Sequence, residues 1–551
     1  MLKAPKFGKC VRMQLRNTSI LLAAFGITAA VAFFWNWPFK VAEIGGGPSV
    51  LMYLVLLLVV GIPVVLVELA LGSWSKSRFP KSLKMINSKL EFFGWFALVN
   101  TFWLLIGICA ILSWSASFAY YSLSRFYPLS NWLNPLTGSF DFANYFFNYA
   151  SPLFPLIGLA IIWGAIFLLL MSDKWGPRIR SIAIKTVFPA LAIVMAITLA
   201  ITISFAGGVD PGLNFYLGFN PQAFLSGSSW RTLITILFFN LGAGLGILSF
   251  YTSKIPEGQN KLTTHALIAP LLGTGLIFLA GMTFFSMSGT SGLTYLFSPN
   301  FFTMGITSLL PMGILGYPAA PFIGWQAGFA TIIRSMGPII GKSLAFLFYT
   351  LTLVAGILGL SFIIEPIKET LKTKFNINPK KLLAAIVTLG FLASIPLTLT
   401  STSPWGYYLT TLANWWVEGF GLALVVLVEL IAVGWIWGAE NVVGYINNNS
   451  RIKIPKWFKW IIKIVAPATA IIALAIGIYD TIKGYVPNSW GTLSPLVTFL
   501  QTLAPRYTDL NLVFLLLVAV WLTSNIILAF ILTRRKPKEE KSVEKKEKGR
   551  K

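Results

Sequence analysis

An all-α polytopic membrane protein with twelve transmembrane helices is the fold class this sequence predicts, and three observations carry it. Of 551 residues, 56% are hydrophobic and only 11% charged, and the mean hydropathy is +0.75. A soluble chain of this length needs far more charged surface. Apolar runs of about 20 residues recur along the chain and match the ~30 Å hydrocarbon core of a bilayer. Basic residues gather in alternate connections between those runs, as they do in loops that face the cytoplasm.

Windows of about 20 residues place the spans at 19–39, 48–72, 94–123, 152–171, 182–206, 231–252, 265–289, 342–365, 382–399, 413–437, 461–480 and 511–533. The first run follows a basic segment but lacks a small-residue cleavage site, so it reads as a retained helix. The second carries a Gly61-Ile62-Pro63 kink and one carboxylate, Glu68. Residues 290–338 are too apolar for a plain loop. Their Pro and Gly content predicts short re-entrant or surface helices packed on the outside.

The alternate connections hold Lys76, Arg78, Lys81, Lys84 and Lys89, then Lys174, Arg178, Arg180 and Lys185, then Lys254 and Lys261. Lys368, Lys372, Lys374, Lys380 and Lys381 follow, and then Arg451, Lys453, Lys456, Lys459 and Lys463. Both tails are basic too. These connections and both termini are therefore expected in the cytoplasm, with the chain in the cell membrane. The predicted organisation is a basic tail over 1–18, a transmembrane region over 19–533 and a charged, disordered tail over 534–551. The net charge of +25 reports topology and attraction to anionic lipid. The lipid bilayer is the expected partner and nucleic acid is not.

Two cysteines, Cys10 in the tail and Cys109 in an apolar run, predict no disulfide. One histidine, His265, gives no cluster for zinc or for histidine-based catalysis. It reads as a helix-start residue near the cytoplasmic face. No nucleophile–base pair appears, which argues against an enzyme, and no cofactor is expected.

Spans one and six each carry an interruption about halfway. Paired broken helices predict an inverted repeat of five helices each, with a substrate between them and spans eleven and twelve at the periphery. Span six is the clearer case, with Gly242, Gly244 and Gly246 at alternate positions. Glycines at that density free the backbone to leave the helix, and the released N–H and C=O groups can bind a carboxylate or a cation. A glycine-rich packing face is the structural alternative.

The order Trp35-Asn36-Trp37-Pro38, then Ala42-Glu43-Ile44-Gly45-Gly46-Gly47, then Gly61-Ile62-Pro63, then Glu68 with Gly72 resembles the opening helix pair of the neurotransmitter:sodium symporter family, in particular its prokaryotic leucine-transporter-like members. The run Phe238-Phe239-Asn240-Leu241-Gly242-Ala243-Gly244 resembles the sixth helix of the same family. The resemblance implies a carrier of amino acids or related small organic solutes that works by alternating access and is coupled to sodium. It implies that Phe239 is the aromatic lid over the substrate and that Gly242, Gly244 and Leu245 line the pocket. Thr28, Ala30, Ile108 and Gly359 complete the implied substrate set. Gly26, Thr28, Ala29, Asn240 and Ala355 are the implied ion-binding set, the first three through backbone carbonyls. The implied outer gate is Asn36 and Asn414 with Phe239, and Glu68 and Glu429 match acidic positions that support the fold.

Several of these positions depart from the family pattern. Phe33 stands where an asparagine holds the first sodium. Leu358 and Gly359 stand where a Thr and a Ser complete the second site, with Ser361 nearby, and Gly289 replaces a further asparagine. A hard cation needs several oxygens to replace its water, so eroded ligands weaken the two-sodium expectation. Ile108 stands where a tyrosine holds the substrate carboxylate, which makes the expected pocket more apolar. Asn36 and Asn414 replace an Arg–Asp gate, and two amides can bond each other without the desolvation cost of an ion pair. Glu365 and Glu418 fall outside the resemblance. Each is a candidate proton carrier. Otherwise Glu418 faces an aqueous vestibule and Glu365 reaches the cytoplasmic side beside Lys368. The alternatives to a sodium-coupled carrier are a proton-coupled or uncoupled carrier on the same fold, and a membrane receptor or sensor that does not transport. The sequence sets no oligomeric state.

Overall fold

The computed structural model describes residues 37–44, 46–123, 153–172, 175–205, 212–219, 221–256, 261–290, 320–399, 409, 412–482 and 509–535. Gly26, Thr28, Ala29, Ala30, Phe33 and Asn36 lie outside the described residues, as do the N-terminal tail and residues 536–551. A helix α1 over Trp37–Ile44 precedes α2, which runs over Gly47–Ser75. Gly46 between them takes φ +90, which an L side chain rarely adopts, and Pro48 sits in the first turn of α2. The chain continues through α3 (Phe79–Ile86), α4 (Glu91–Leu123), α5 (Leu153–Met171) and α6 (Gly176–Phe205). Two short pieces follow, α7 (Gly227–Leu241) and α8 (Ile247–Ser253), then α9 (Leu262–Thr290), α10 (Ala320–Met336), α11 (Pro338–Phe375) and α12 (Pro379–Leu399). The last three are α13 (Trp415–Asn448), α14 (Phe458–Tyr479) and α15 (Asp509–Arg534).

Among the described residues, ten helices are long and apolar enough to cross a membrane, and no strand is present. Ten of the twelve expected spans correspond to them. The first expected span lies largely outside the described residues. The sixth is split into α7 and α8, neither of which crosses a bilayer alone. The expected kink in α2 takes the form of a π-helical turn over Leu57–Gly61, just before Pro63. Pro63 lacks an N–H and its ring crowds the carbonyl four residues back, and a widened turn relieves both. Two further π-helical stretches, over Leu412–Gly421 at the start of α13 and over Ala432–Gly438 within it, follow the same pattern. They flank the straight stretch that holds Glu429.

Two expectations need correction. The helix α10 is not a surface helix. Trp325, Phe329 and Ile332 are fully buried, and α10 packs between α9 and α11. Its apolar residues recur every three to four positions, which buries one face. Span eight is much longer than 342–365, because α11 runs on to Phe375 and ends in Lys372 and Lys374. Basic side chains in a last turn suit the carbonyl end of a helix, and a hydropathy window ends too early on them.

The long helices α4 and α11 pack along each other, and both also meet α5, with α6 against α11. The short α8 lies against α2. A Cβ at Gly72 would overlap the carbonyl of Ser249, so the two backbones approach as closely as glycine allows. Lys76 Nζ donates to the Ile255 carbonyl at 2.7 Å and ties the end of α2 to the turn after α8. Lys84, Glu91, Lys374 and the Thr533 carbonyl also meet at this end of the molecule, hereafter the basic end.

Candidate functional site

The break between α7 and α8 is the centre of the site. Gly242, Gly244 and Gly246 take φ of +66, +73 and +68. A non-glycine residue pays steric cost in that region, and three in five residues end a helix outright. Space forbids side chains there as well. A Cβ on Gly246 would lie 2.7 Å from Phe79 Cγ, and one on Gly244 3.0 Å from Val426 Cγ2. The freed backbone groups are partly satisfied. The N–H groups of Gly242 and Ala243 donate to the carbonyls of Phe239 and Phe238, both at 2.9 Å. The Gly244 N–H donates to Glu68 Oε2 at 3.3 Å. The buried carboxylate on α2 therefore braces the unwound segment. Glu429 on α13 is also buried, and α13 meets the break at Gly244 through Val425 and Val426.

Asn240 is buried beside the break, and its Nδ2 donates to the Tyr53 hydroxyl at 3.2 Å. Tyr53 packs edge-on against Trp37, whose indole N–H donates to Tyr216 at 3.0 Å. Ile108 on α4, Phe239 and Leu245 at the break, and Ala355 and Leu358 on α11 belong to one continuous buried apolar cluster, with Gly359 buried on the same helix. Ser361 Oγ donates to the Leu358 carbonyl at 2.6 Å. Leu358 and Gly359 present no side-chain oxygen.

Beyond the break, each half of the broken helix meets a buried charge. Arg231 in the first turns of α7 is buried, with its guanidinium carbon 3.2 Å from the centre of the Trp415 ring on α13. A Cβ on Gly477 would lie 2.8 Å from Arg231 Nε, so α14 closes over the same group. Asn414 is in a described helical stretch, but its side chain lies outside the described residues. Glu418, one turn on, is buried, which corrects the expectation that it faces a vestibule.

At the basic end, Glu365 on α11 has partners other than Lys368, which also corrects the sequence reading. Its Oε2 accepts from Arg180 Nη1 and from the Tyr251 hydroxyl, both at 2.8 Å, and its Oε1 accepts from Lys254 Nζ at 2.9 Å. Lys368 instead meets Glu369 and the Leu170 carbonyl. Burial draws the Lys254 ammonium below its ordinary range, against the opposing pull of the Glu365 carboxylate. In the sequence, Arg180 and Lys254 signalled only which loops are basic. Their meeting with Glu365 joins positions more than 100 residues apart, and no local pattern marks it. Buried Glu365, lacking an explanation of its own, was the one available hint that a cation must face it.

The profile of the sodium:neurotransmitter symporter family matches residues 14–137 and 155–505. The chain belongs to the sodium:neurotransmitter symporter family. It is thus a multi-pass membrane protein of a family of secondary symporters, not of enzymes. An uncharacterized sodium-dependent transporter of Methanocaldococcus jannaschii is 26% identical over 469 residues, covering 83% of this chain and 89% of that protein. The sodium-dependent serotonin transporter of Drosophila melanogaster is 24% identical over 456 residues, covering 77% of this chain and 70% of its own length. The crystal structure of MhsT in complex with L-phenylalanine superposes with a TM-score of 0.67 at 20% identity, over 83% of this chain and 98% of that one. The fold is shared with MhsT.

Proposed function

We propose that the chain is a sodium-coupled symporter that carries an apolar amino acid, or a related small organic solute, across the cell membrane by alternating access. The observation that carries this reading is the glycine break between α7 and α8, held open by Glu68. A helix interrupted midway presents backbone N–H and C=O groups at membrane depth, and those that the protein does not itself satisfy can bind a solute or an ion. The Phe239 side chain covers the substrate, and Ile108 and Leu245 give the pocket its apolar walls. Thr28, Ala30 and Gly359 complete the pocket. The amide oxygen of Asn240 and the carbonyls of Gly26, Thr28, Ala29 and Ala355 receive the ion. The complex of MhsT with L-phenylalanine supports the amino-acid class, and two relatives described as sodium-dependent support the ion.

In this reading twelve helices form two inverted repeats of five plus a peripheral pair, and both termini and the basic end face the cytoplasm. The first span, α2, α7–α8 and α9 rock against a scaffold that includes α4, α5, α11 and α12. A second reading, a carrier driven without sodium, is favoured by Leu358 and Gly359, which offer no side-chain oxygen. Glu365 is already engaged by two cations, Arg180 and Lys254, which argues against it as a proton carrier in this reading. Proteoliposomes assayed over an amino-acid panel, with sodium and pH gradients imposed separately, decide between them. Uptake of an apolar amino acid driven by sodium alone is expected. Uptake indifferent to sodium selects the second reading, and binding without uptake refutes both.

A further inference from the structure

The connection from α13 to α14 takes no part in the proposed transport cycle. Residues 439–463 carry Arg451, Lys453, Lys456, Lys459 and Lys463 against a single acid, Glu440. Lys459 answers that acid at 3.3 Å on the surface, so the segment keeps an excess of positive charge. It lies at the basic end. Ser450 Oγ accepts from the Thr263 N–H in the first turn of α9 at 3.3 Å, and the Tyr445 hydroxyl lies 2.8 Å from Ser73 Oγ near the end of α2.

Positive charge alone reports topology, but two further features set this connection apart. The first is that its backbone is fixed. Asn447 Oδ1 accepts from the Ile454 N–H at 2.8 Å, and Asn447 Nδ2 donates to the Ile454 carbonyl at 3.0 Å. Lys453 Nζ donates to the Asn447 carbonyl, and Ile454 and Phe458 are buried beneath. The second is what the segment shows to its surroundings. Trp457 is 60% exposed, Trp460 52%, and Trp435 on the adjoining turn of α13 58%. Tryptophan favours the headgroup layer of a bilayer, where one side of the ring is apolar and the other wet. The ammonium groups of Lys463 and Lys459 lie 5.0 and 5.4 Å from the centres of the Trp435 and Trp460 rings.

Lys456, Lys459 and Lys463 are spaced three and four apart, which brings them to one side of the first turns of α14. From Trp460 an exposed apolar face continues along that helix through Ile464, Ile471 and Ile472. A Cβ on Gly434 would lie 3.1 Å from the Ile462 carbonyl, and the Trp435 indole N–H donates to the Lys463 carbonyl at 2.9 Å, so Trp435 is held against α14. The connection before α12 makes a contrast. It exposes Lys380 and Lys381 but no tryptophan. Three ammonium groups above an apolar face complement a phosphodiester that carries acyl chains. A soluble anion would use the cations and leave the rings bare. We propose that the start of α14 and the Trp435 turn of α13 form a binding site for an anionic phospholipid, with its phosphate among Lys456, Lys459 and Lys463 and its acyl chains along Trp460 and Ile464. The site is independent of which solute or ion the carrier moves.

The test is a titration of the purified, delipidated full chain in detergent with phosphatidylglycerol or with phosphatidylcholine, read by native mass spectrometry as the affinity for the first lipid bound. Phosphatidylglycerol is expected to bind the more tightly. Replacing Lys456, Lys459 and Lys463 together by Gln should weaken it about tenfold and leave phosphatidylcholine nearly unchanged. The same three changed to Arg keep the charge and should keep the affinity, which separates loss of the site from loss of the fold. Lys372, Lys380 and Lys381 changed together to Gln remove equal charge elsewhere on the basic end, and the affinity should stay within about twofold of the parent because distant surface charges are screened. Trp460→Ala should weaken both lipids alike. An unchanged affinity in the Lys456, Lys459 and Lys463 variant overturns the site. An equal loss in the Lys372, Lys380 and Lys381 variant would show that the whole face, and not this connection, attracts the lipid. Displacement of the lipid by an equal concentration of inorganic phosphate would assign the cations to a soluble anion and also overturn it.

Discussion

The two ends of the broken helix are held by different chemistry. At the α7 end a buried guanidinium lies against the Trp415 ring, inside contacts from α13 and α14. At the α8 end three polar groups, Arg180 from α6 and Tyr251 and Lys254 from α8 and its end, converge on the Glu365 carboxylate. A cation on an aromatic face is held over a broad surface and tolerates sliding. A carboxylate bonded at 2.8–2.9 Å is directional and is either made or broken. The difference teaches that the halves are not equivalent handles on one rod. The glycine break lets one end open while the other stays closed.

Filling the break should remove the difference altogether. Gly246→Leu places a side chain where φ is +68 and Phe79 is in contact. The expected outcome is a loss of about 3 kcal/mol or more, seen as little folded protein in detergent and no uptake from what remains. At the α7 end, Arg231→Ala removes a buried cation and its aromatic contact. A loss of about 2 kcal/mol is expected in thermal unfolding, and Arg231→Lys should recover little of it, because an ammonium does not stack on the ring as a guanidinium does. A full recovery by lysine would show that charge alone matters at that end.

These effects bear on what the sequence could disclose. The fold was largely legible. Hydropathy gave the spans, and the glycines at 242, 244 and 246 gave the break, because both are local properties of the chain. Glu68 was legible through its motif, and its bond to the Gly244 N–H follows from the proximity of α2 to the break. What stayed hidden was contact between distant segments. No local pattern marks the contact of Arg231 with Trp415, and Arg180 and Lys254 read as charges of separate connections while Glu365 reads as a candidate proton carrier or a neighbour of Lys368. Only the packing of α6, α8 and α11 brings the last three together. The buried position of α10 was misread for a similar reason, since composition does not say which neighbours cover an apolar face.

Smaller perturbations sharpen the comparison. Glu68→Ala withdraws the acceptor from the Gly244 N–H and should cost about 1–3 kcal/mol, whereas Glu68→Gln keeps an acceptor oxygen and should cost less. Thermal unfolding of the two variants side by side checks the order. The weakest effect is expected at Lys372, whose bond to Glu369 lies within one half-buried helix turn. Lys372→Met should change stability by about 0.5 kcal/mol or less. A loss as large as that of Arg231→Ala would mean that the basic end is held by its outer charges and not by Glu365.

Alternation between the two ends is the central claim, and paired accessibility measures it most directly. Thr235 stands one turn after Arg231 on α7, as Ser361 stands one turn before Glu365 on α11. Thr235→Cys and Ser361→Cys, in separate Cys10→Ser proteins in proteoliposomes, are labelled with and without sodium and an apolar amino acid. Reciprocal change is expected: any condition that speeds labelling at one position slows it at the other. Labelling that rises or falls at both positions together would contradict alternating access and leave the chain a binding protein on a transporter fold.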